Sequence, residues 1–312
     1  MDIKSKLLNE MIKNGHEETN GINVWNMANR SFLQITPEIS QAFLNLINFE
    51  PYKQKVFNVE IKLLKDNISS FLKEIGPESF NLIDIGCGDG SKAREIIKSL
   101  NGETKVRYCP ISSDKFLINI AAENVRGGNF KNLAEIKQIV SDFDKISDAA
   151  SLMRINEFQR NVMLLHGSIL ASYEINEYLF NLSRAMLPGD YIVIGNSIRN
   201  GERLVEIEKY KNKVFMKWFV PLMVLLGFNE DEVEYDARFN QIRVEGFFKI
   251  KKDKKINHEG REIEFRKGDE ILVAILYKYY FEELQTFIRM YFSQAKFFKS
   301  SDDEYMMALC KK

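Results

Sequence analysis

The sequence predicts an α/β fold, a parallel sheet with helices on both faces, joined to a smaller α+β second domain. Three observations carry this. Five apolar strand-like runs alternate with helical stretches between residues 80 and 195, the pattern of parallel β-α-β units. A glycine-rich turn joins the first of these strands to the first helix, where a chain must bend sharply. After residue 200 the pattern changes to short strand-like runs separated by turn residues.

Residues 1–50 read as helical and partly irregular, with Leu7, Leu8 and Met11 as a short stripe and Trp25 to Thr36 as a loop. In residues 51–76, Val56, Val59, Ile61, Leu63, Leu64, Ile68, Phe71 and Leu72 recur at helical spacing, and Gly76-Pro77 ends the helix. Phe80 to Ile85 is the first strand and Ser91 to Leu100 the helix after it. Lys105 to Ile111 is the second strand and Ser113 to Val125 the second helix. Glu135 to Val140, Val162 to Leu165 and Tyr191 to Gly195 are the third, fourth and fifth strands, with Glu174 to Met186 a helix before the last. Glu202 to Leu226 is expected to be helical with a kink or break at Pro221. Ile242 to Ile250, Arg261 to Phe265 and Glu270 to Leu276 read as an antiparallel meander. Phe281 to Phe292 returns to helix, and Lys296 to Lys299 with Tyr305 to Leu309 close the chain as a strand pair. The expected division is 51–200 with 277–312 as the main domain, and 1–50 with 201–276 as the second.

Composition excludes several classes. The chain of 312 residues is 45% hydrophobic and 28% charged, enough apolar material for a large core. Lys plus Arg and Asp plus Glu are 44 each, so the overall basic signature of a nucleic-acid binder is missing. The Lys249 to Lys255 run is a local basic patch that reads as a solvated hairpin tip. Cys87, Cys109 and Cys310 show no metal-ligand spacing, so no metal site is expected. No apolar signal core or spanning run is apparent, and a cytoplasmic location without membrane contact is expected. Oligomeric state is not legible.

The chemistry sits at Asp84-Ile85-Gly86-Cys87-Gly88-Asp89-Gly90. Glycines at 86, 88 and 90 let the backbone turn and let a ligand approach it closely. The spacing is GxGxG rather than the GxGxxG of a dinucleotide site. Asp84 would repel a phosphate and suits a ligand carrying a cationic amine or sulfonium. The sequence therefore predicts an S-adenosylmethionine site, with Cys87 as a loop member. Ser112 and Asp114, after the second strand, are candidates for the ribose hydroxyls, although Asp114 reads equally as a first-turn acid favoured by the helix dipole. After the third strand, Asp142 is a candidate acceptor for the adenine amino group and Phe143 an aromatic beside the ring; a loop-capping Asp is the alternative. His166-Gly167-Ser168 ends the fourth strand, where donor and acceptor should meet. His166 is a candidate cofactor contact and general base, or a strand-end residue satisfied by local hydrogen bonds.

These motifs together resemble the histidine-specific (ergothioneine-pathway) N-methyltransferase family, which includes an indole-alkaloid amine methyltransferase. Ser31 to Thr36 is similar to the family's LFEEIT-type segment and Pro51 to Glu60 to its PEYYPTRAE-type stretch. Asp84 to Gly90, Tyr108-Cys109-Pro110, Asp142-Phe143, Gly167-Ser168-Ile169, Leu187-Pro188-Gly189-Asp190 and Gly268-Asp269-Glu270-Ile271 follow in order. The resemblance implies a class I methyltransferase (Rossmann-like) domain and a second domain built from the N-terminal segment and an insertion, with substrate held between them.

The departures from that pattern bear on the acceptor. The family's ribose Asp falls at Ser112, and its substrate-holding Asn at Ser172. The Glu and Ser that grip the imidazole fall at Ala274 and Leu276, which cannot hydrogen-bond through their side chains. Histidine is therefore a poor substrate expectation. Tyr52 matches an aromatic position near the family's pocket, and Tyr173 and Asn196 are further substrate candidates. An amine must be neutral to attack a sulfonium methyl, so the pocket must desolvate it or offer a base, for which Tyr52 and His166 are the candidates. The expected activity is N-methylation of a small-molecule or peptide amine other than histidine. O-methyl transfer, aminocarboxypropyl transfer and a catalytically silent partner subunit stay open.

Overall fold

In the computed structural model the described residues are 2–143, 145–167, 169–199 and 207–312. Along the chain run α1 (Ile3–Asn14), β1 (His16–Thr19), β2 (Ile22–Asn26) and α2 (Pro37–Asn48). A continuous helical segment follows: α3 (Glu50–Tyr52), a π-turn over Lys53–Phe57, and α4 (Asn58–Ile75). Then come β3 (Phe80–Ile85), α5 (Ser91–Lys98), β4 (Val106–Ser112), α6 (Lys115–Arg126), β5 (Leu133–Ile136), β6 (Ile139–Val140), α7 (Ile146–Leu152), β7 (Arg160–Leu165), α8 (Ile175–Ala185) and β8 (Tyr191–Ser197). The remainder is α9 (Lys213–Leu226), β9 (Val233–Asn240), β10 (Arg243–Ile250), β11 (Lys254–His258), β12 (Arg261–Phe265), β13 (Glu270–Tyr277), α10 (Phe281–Tyr291), β14 (Gln294–Lys299) and β15 (Tyr305–Lys311).

The chain divides into two compact units, Met1–Leu46 with Leu204–Lys278, and Ile47–Arg203 with Tyr279–Lys312. In the second, the sheet order is β14-β15-β8-β7-β3-β4-β5, with β6 also on β4. Strands β3 to β8 pair in parallel, and the last two strands close the edge antiparallel. Alternate strand residues Leu82, Tyr108, Leu164, Val193 and Met307 join one core cluster with Leu64 and Phe71 of α4, Ile96 of α5 and Ile118 of α6. The residues between them, among them Ile83, Cys109, Met163 and Ile194, are buried on the other face, and α8 packs with α7 and α10. Each fully buried Leu, Ile or Phe stabilises by roughly 1.5–3 kcal/mol.

At the edge where the strands begin, a polar cluster holds the sheet. Asn81 Nδ2 donates to Asn161 Oδ1 at 2.8 Å, and Arg107 Nη1 donates to Asn81 Oδ1 at 3.2 Å and to the Met153 carbonyl at 2.9 Å. Asp190 pairs with Arg154 and accepts from the Asn161 and Leu187 amides. The Leu187-Pro188-Gly189-Asp190 motif thus does structural work far from the strand ends that face a ligand.

The first unit is a five-stranded sheet of order β1-β2-β13-β10-β9, with β11-β12 as a separate hairpin. Several expectations need correction here. Trp25 lies in β2 rather than a loop, because Asn20 (φ 54°) and Gly21 (φ 76°) turn the chain between β1 and β2, the Asn-Gly hairpin signal. The expected three-run meander is not formed: β10 pairs directly with β13 and with β9, while β12 pairs with β11 in the separate hairpin, and α7 is a helix the periodicity did not reveal. The third strand of the main sheet is two short pieces, β5 and β6. The expected Glu202 helix begins only at Lys213, capped by Asn212, whose Oδ1 accepts from the Val214 amide at 2.9 Å; its start at 202–206 lies outside the described residues. Pro221 sits inside that helix without ending it. The Lys249 to Lys255 run spans the solvent-exposed turn between β10 and β11, as expected, and within it Lys252 and Lys254 pair with Glu232, Lys249 with Asp236, and Lys255 with Glu262 and Glu264.

Candidate active site

The glycine loop leaves the C-terminal end of β3, where ligands bind in open parallel sheets. The Gly86 and Cys87 amides donate to the Ile111 carbonyl of β4 at 2.9 and 3.2 Å, and Gly90 N–H closes onto the Cys87 carbonyl at 2.8 Å. Gly86, Gly88 and Gly90 all adopt positive φ. At Gly86 a β-carbon would also sit 2.2 Å from Ile169 Cδ1 and 3.4 Å from Phe143 Cζ. Cys87 is buried, and burial lifts its thiol well above the ordinary range, which makes it a packing residue of the loop rather than a nucleophile.

Asp84 is buried at the end of β3. Tyr108 donates to its Oδ2 at 2.9 Å, and among the described residues it forms no ion pair. Burial raises the Asp84 carboxyl to about 7, only partly offset by the Tyr108 hydroxyl and the Lys92 charge. A cation arriving beside it would restore the ionised form. Ser112 ends β4 and is fully buried; its hydroxyl accepts from the Asp114 amide at 3.3 Å. Asp114 caps α6, accepting from the Phe116 amide through Oδ1 at 3.1 Å, while its Oδ2 is buried without a partner. The first-turn-acid reading of Asp114 is met by Oδ1, and Oδ2 is left without a partner. Phe143 is buried against the glycine loop, and Tyr178 donates to its carbonyl at 3.1 Å. Asp142, half-buried, lies in the turn before it.

His166 follows β7 and Asn196 lies on the adjacent β8, both buried at the same sheet edge. His166 Nδ1 faces Glu60 Oε1 at 3.2 Å, whereas Nε2 is buried with no partner. Asn196 Nδ2 donates to the Ser197 carbonyl at 2.8 Å, which directs Oδ1 the other way, also buried and unpartnered. Glu60 is the residue that the reading of the sequence placed only inside a family-like stretch. Its Oε1 accepts from the Gly167 amide at 2.8 Å and from the Tyr305 hydroxyl, and its Oε2 pairs with Lys92 at 2.6 Å. Burial pushes the Glu60 carboxyl up, but Lys92 and His166 beside it outweigh this and hold it well below the usual range. Burial likewise lowers the His166 imidazole against the pull of Glu60. A signal for Glu60 was present: it stands three and four residues before Leu63 and Leu64, on the apolar stripe of its helix, where a carboxylate needs a partner.

The π-turn at Lys53–Phe57 sets the phase between Tyr52 and Glu60. In an unbroken α-helix their eight-residue separation would be about 2.2 turns and leave them about 80° apart around the helix axis. One inserted residue brings this to about two turns, one side of the helix. Tyr52 is half-buried and close enough to Tyr305 to raise its hydroxyl further, after burial and Glu60. Ser172 lies in a 3-10 turn, and Tyr173 stacks on Tyr178 with ring centroids 4.2 Å apart; Ser168 is outside the described residues. In the other unit, Ala274 and Leu276 lie on β13 opposite Gly246 and Val244 of β10. A one-residue bulge at Val273 puts Ala274 there, where Leu272 pairs with Phe247 on the next step.

An unpartnered buried oxygen on Asp114, a buried carboxylate at Asp84 without an ion pair among the described residues, and a glycine turn without room for side chains fit S-adenosylmethionine. Asp84, the 86–90 loop and Asp114 are the residues available to hold it. Among the described residues no helix is long and apolar enough to cross a membrane. Solved structures with similar architecture include an S-adenosylmethionine-dependent methyltransferase from Clostridium acetobutylicum, at 15% identity over 85% of this chain and 97% of that one, with a TM-score of 0.45. A Pyrococcus horikoshii protein is similar at 14% identity over 89% and 100%, with a TM-score of 0.47. Human N-acetylserotonin methyltransferase, solved with the cofactor, is similar at 14% identity over 99% and 66%, with a TM-score of 0.46. No individually curated protein matches the chain by sequence. A model of the family described as histidine-specific, S-adenosylmethionine-dependent methyltransferases matches residues 40–312, so the chain belongs to that family and is an S-adenosylmethionine-dependent methyltransferase.

Proposed function

We propose that this enzyme N-methylates a small-molecule or peptide amine other than histidine. The observation that carries this is the pair of buried polar atoms without partners at adjacent strand ends, His166 Nε2 and Asn196 Oδ1. The Asn196 amide oxygen calls for a ligand that presents a donor such as N–H, because an unmet buried acceptor costs about 1–3 kcal/mol. When bound, the cofactor supplies a methyl carbon activated by its sulfonium. The protein's part is to orient the amine, exclude water and keep the amine neutral. Tyr52 is the candidate on the helix that also carries Glu60. Ser172 and Tyr173 are further substrate-side candidates.

Ala274 and Leu276 support an apolar acceptor, since neither can meet the ring nitrogens of an imidazole. In this reading residues 1–50 and 201–276 form the substrate-side domain, and 51–200 with 277–312 the cofactor domain. The test is incubation with S-adenosylmethionine and a set of amines, including histidine and 2-phenylethylamine, with product masses measured. A gain of one methyl group on an apolar amine, with histidine unchanged, is expected. Turnover of histidine as the best substrate would overturn the reading. Methylation on oxygen, an aminocarboxypropyl mass, or cofactor binding without any product would each replace it.

A further inference from the structure

We propose that Glu60 is a positioning residue that holds His166 as the neutral tautomer protonated on Nδ1, so that Nε2 presents a bare lone pair to an N–H of the acceptor. This rests on the acceptor being an amine. Glu60 Oε1 receives the Gly167 amide at 2.8 Å and the Tyr305 hydroxyl, and it faces His166 Nδ1 at 3.2 Å. An ionised carboxylate can only accept. A bare Nδ1 would set two lone pairs against each other, so the ring proton belongs on Nδ1. Glu60 Oε2 is engaged separately by Lys92 at 2.6 Å, whose ammonium also lies 5.4 Å above the Phe57 ring. The cation that balances Glu60 is therefore lysine, and the imidazole is free to stay neutral. Burial favours the same state.

The arrangement leaves no slack. A β-carbon on Gly195 would lie 2.5 Å from the Tyr305 hydroxyl, 2.6 Å from His166 Nδ1 and 3.0 Å from Glu60 Oε1. The far side of the ring then carries the lone pair, buried and unpartnered at Nε2. A simple neutralising role for Glu60 would need only the Lys92 contact. It would not explain why the other oxygen collects three groups around the one imidazole.

The chemical consequence is a place for one proton. A methylated amine leaves the reaction as an ammonium. Its N–H bond breaks as the Nε2–H bond forms, and no electrons are exchanged with any other partner. The imidazolium is held against the Glu60 carboxylate.

The test is ring-resolved 1H–15N spectroscopy of the full chain with 15N-labelled histidine, at pH 7.5 without ligand. His16, His166 and His258 are the only histidines, and His166→Gln identifies the signal. The expected pattern is protonated Nδ1 and bare Nε2, shifting toward protonated Nε2 in Glu60→Gln and in Gly195→Ala. A wild-type ring protonated on Nε2, or an imidazolium, overturns the proposal, as does an unchanged pattern in both variants. If the variants do not fold, the wild-type pattern alone decides. Adding S-adenosylhomocysteine and 2-phenylethylamine is expected to shift the Nε2 resonance. A bound amine that leaves Nε2 unmoved while Nδ1 stays protonated overturns the contact to the acceptor but not the Glu60 assignment.

Discussion

Asp84 is expected to make binding of S-adenosylmethionine depend on pH. In the ligand-free protein its carboxyl is raised from 3.8 to about 7. That shift corresponds to about 4 kcal/mol of disfavoured charge. The folded chain thus holds a proton between about pH 4 and pH 7 that the unfolded chain has released. The stability this group contributes is present at low pH and is lost as pH rises toward 7. Binding of a cationic ligand runs the other way, because it needs the ionised form. Only about half of Asp84 is ionised at pH 7 and roughly a tenth at pH 6, so the dissociation constant of S-adenosylmethionine should weaken about fivefold from pH 7 to 6 and about tenfold from pH 6 to 5. Calorimetric titration at constant ionic strength measures this directly. Asp84→Asn keeps an oxygen for Tyr108 but no charge; it should bind roughly ten- to a hundredfold more weakly at pH 7.5 and lose the pH slope. A flat wild-type profile from pH 5 to 7.5, or the same slope in Asp84→Asn, would refute the assignment of Asp84 to the ligand's cation.

Other substitutions separate ligand contacts from scaffolding. Asp114→Asn keeps a good helix cap but removes the carboxylate whose second oxygen is buried and unpartnered; cofactor affinity should fall about tenfold with little change in melting temperature, and an unchanged affinity would leave Asp114 as a cap only. Asp190→Ala strands Arg154 and the Asn161 amide, and should cost about 3–5 kcal/mol in denaturant unfolding while the folded fraction still binds cofactor. Gly86→Ala combines a φ of 69° with the 2.2 Å approach to Ile169. A loss of about 1–2 kcal/mol from the backbone alone and at least a tenfold weaker cofactor complex are expected, and near-wild-type binding would show that the loop has more room than its geometry indicates.

Much of the molecule is legible because its determinants are local. The alternation of strand and helix from Phe80 to Ser197 follows from periodicity and capping. The Asp84 to Gly90 turn is contiguous, so its residues meet whatever the rest of the chain does. Asn20-Gly21 carries a hairpin signal just as local, and short α7 and the split of β5 from β6 are the kind of element that tertiary packing decides over propensity.

The proposed acceptor side differs in kind. Glu60 comes from α4, Lys92 from α5, His166 from the residue after β7, and Tyr305 from β15; β7 runs parallel to β8 and β15 antiparallel to it. No periodicity within any of these segments encodes their meeting, because sheet order β15-β8-β7 is a property of the assembled unit. The phase of Tyr52 against Glu60 depends on a π-turn, and the face taken by Ala274 depends on one bulged residue. From the sequence by itself come the α/β class, the cofactor loop and the family-like motifs, all set by short-range spacing. Which buried atoms are left without partners was decided only in three dimensions, since a hydrogen bond between Glu60 and His166 spans 106 positions of the chain.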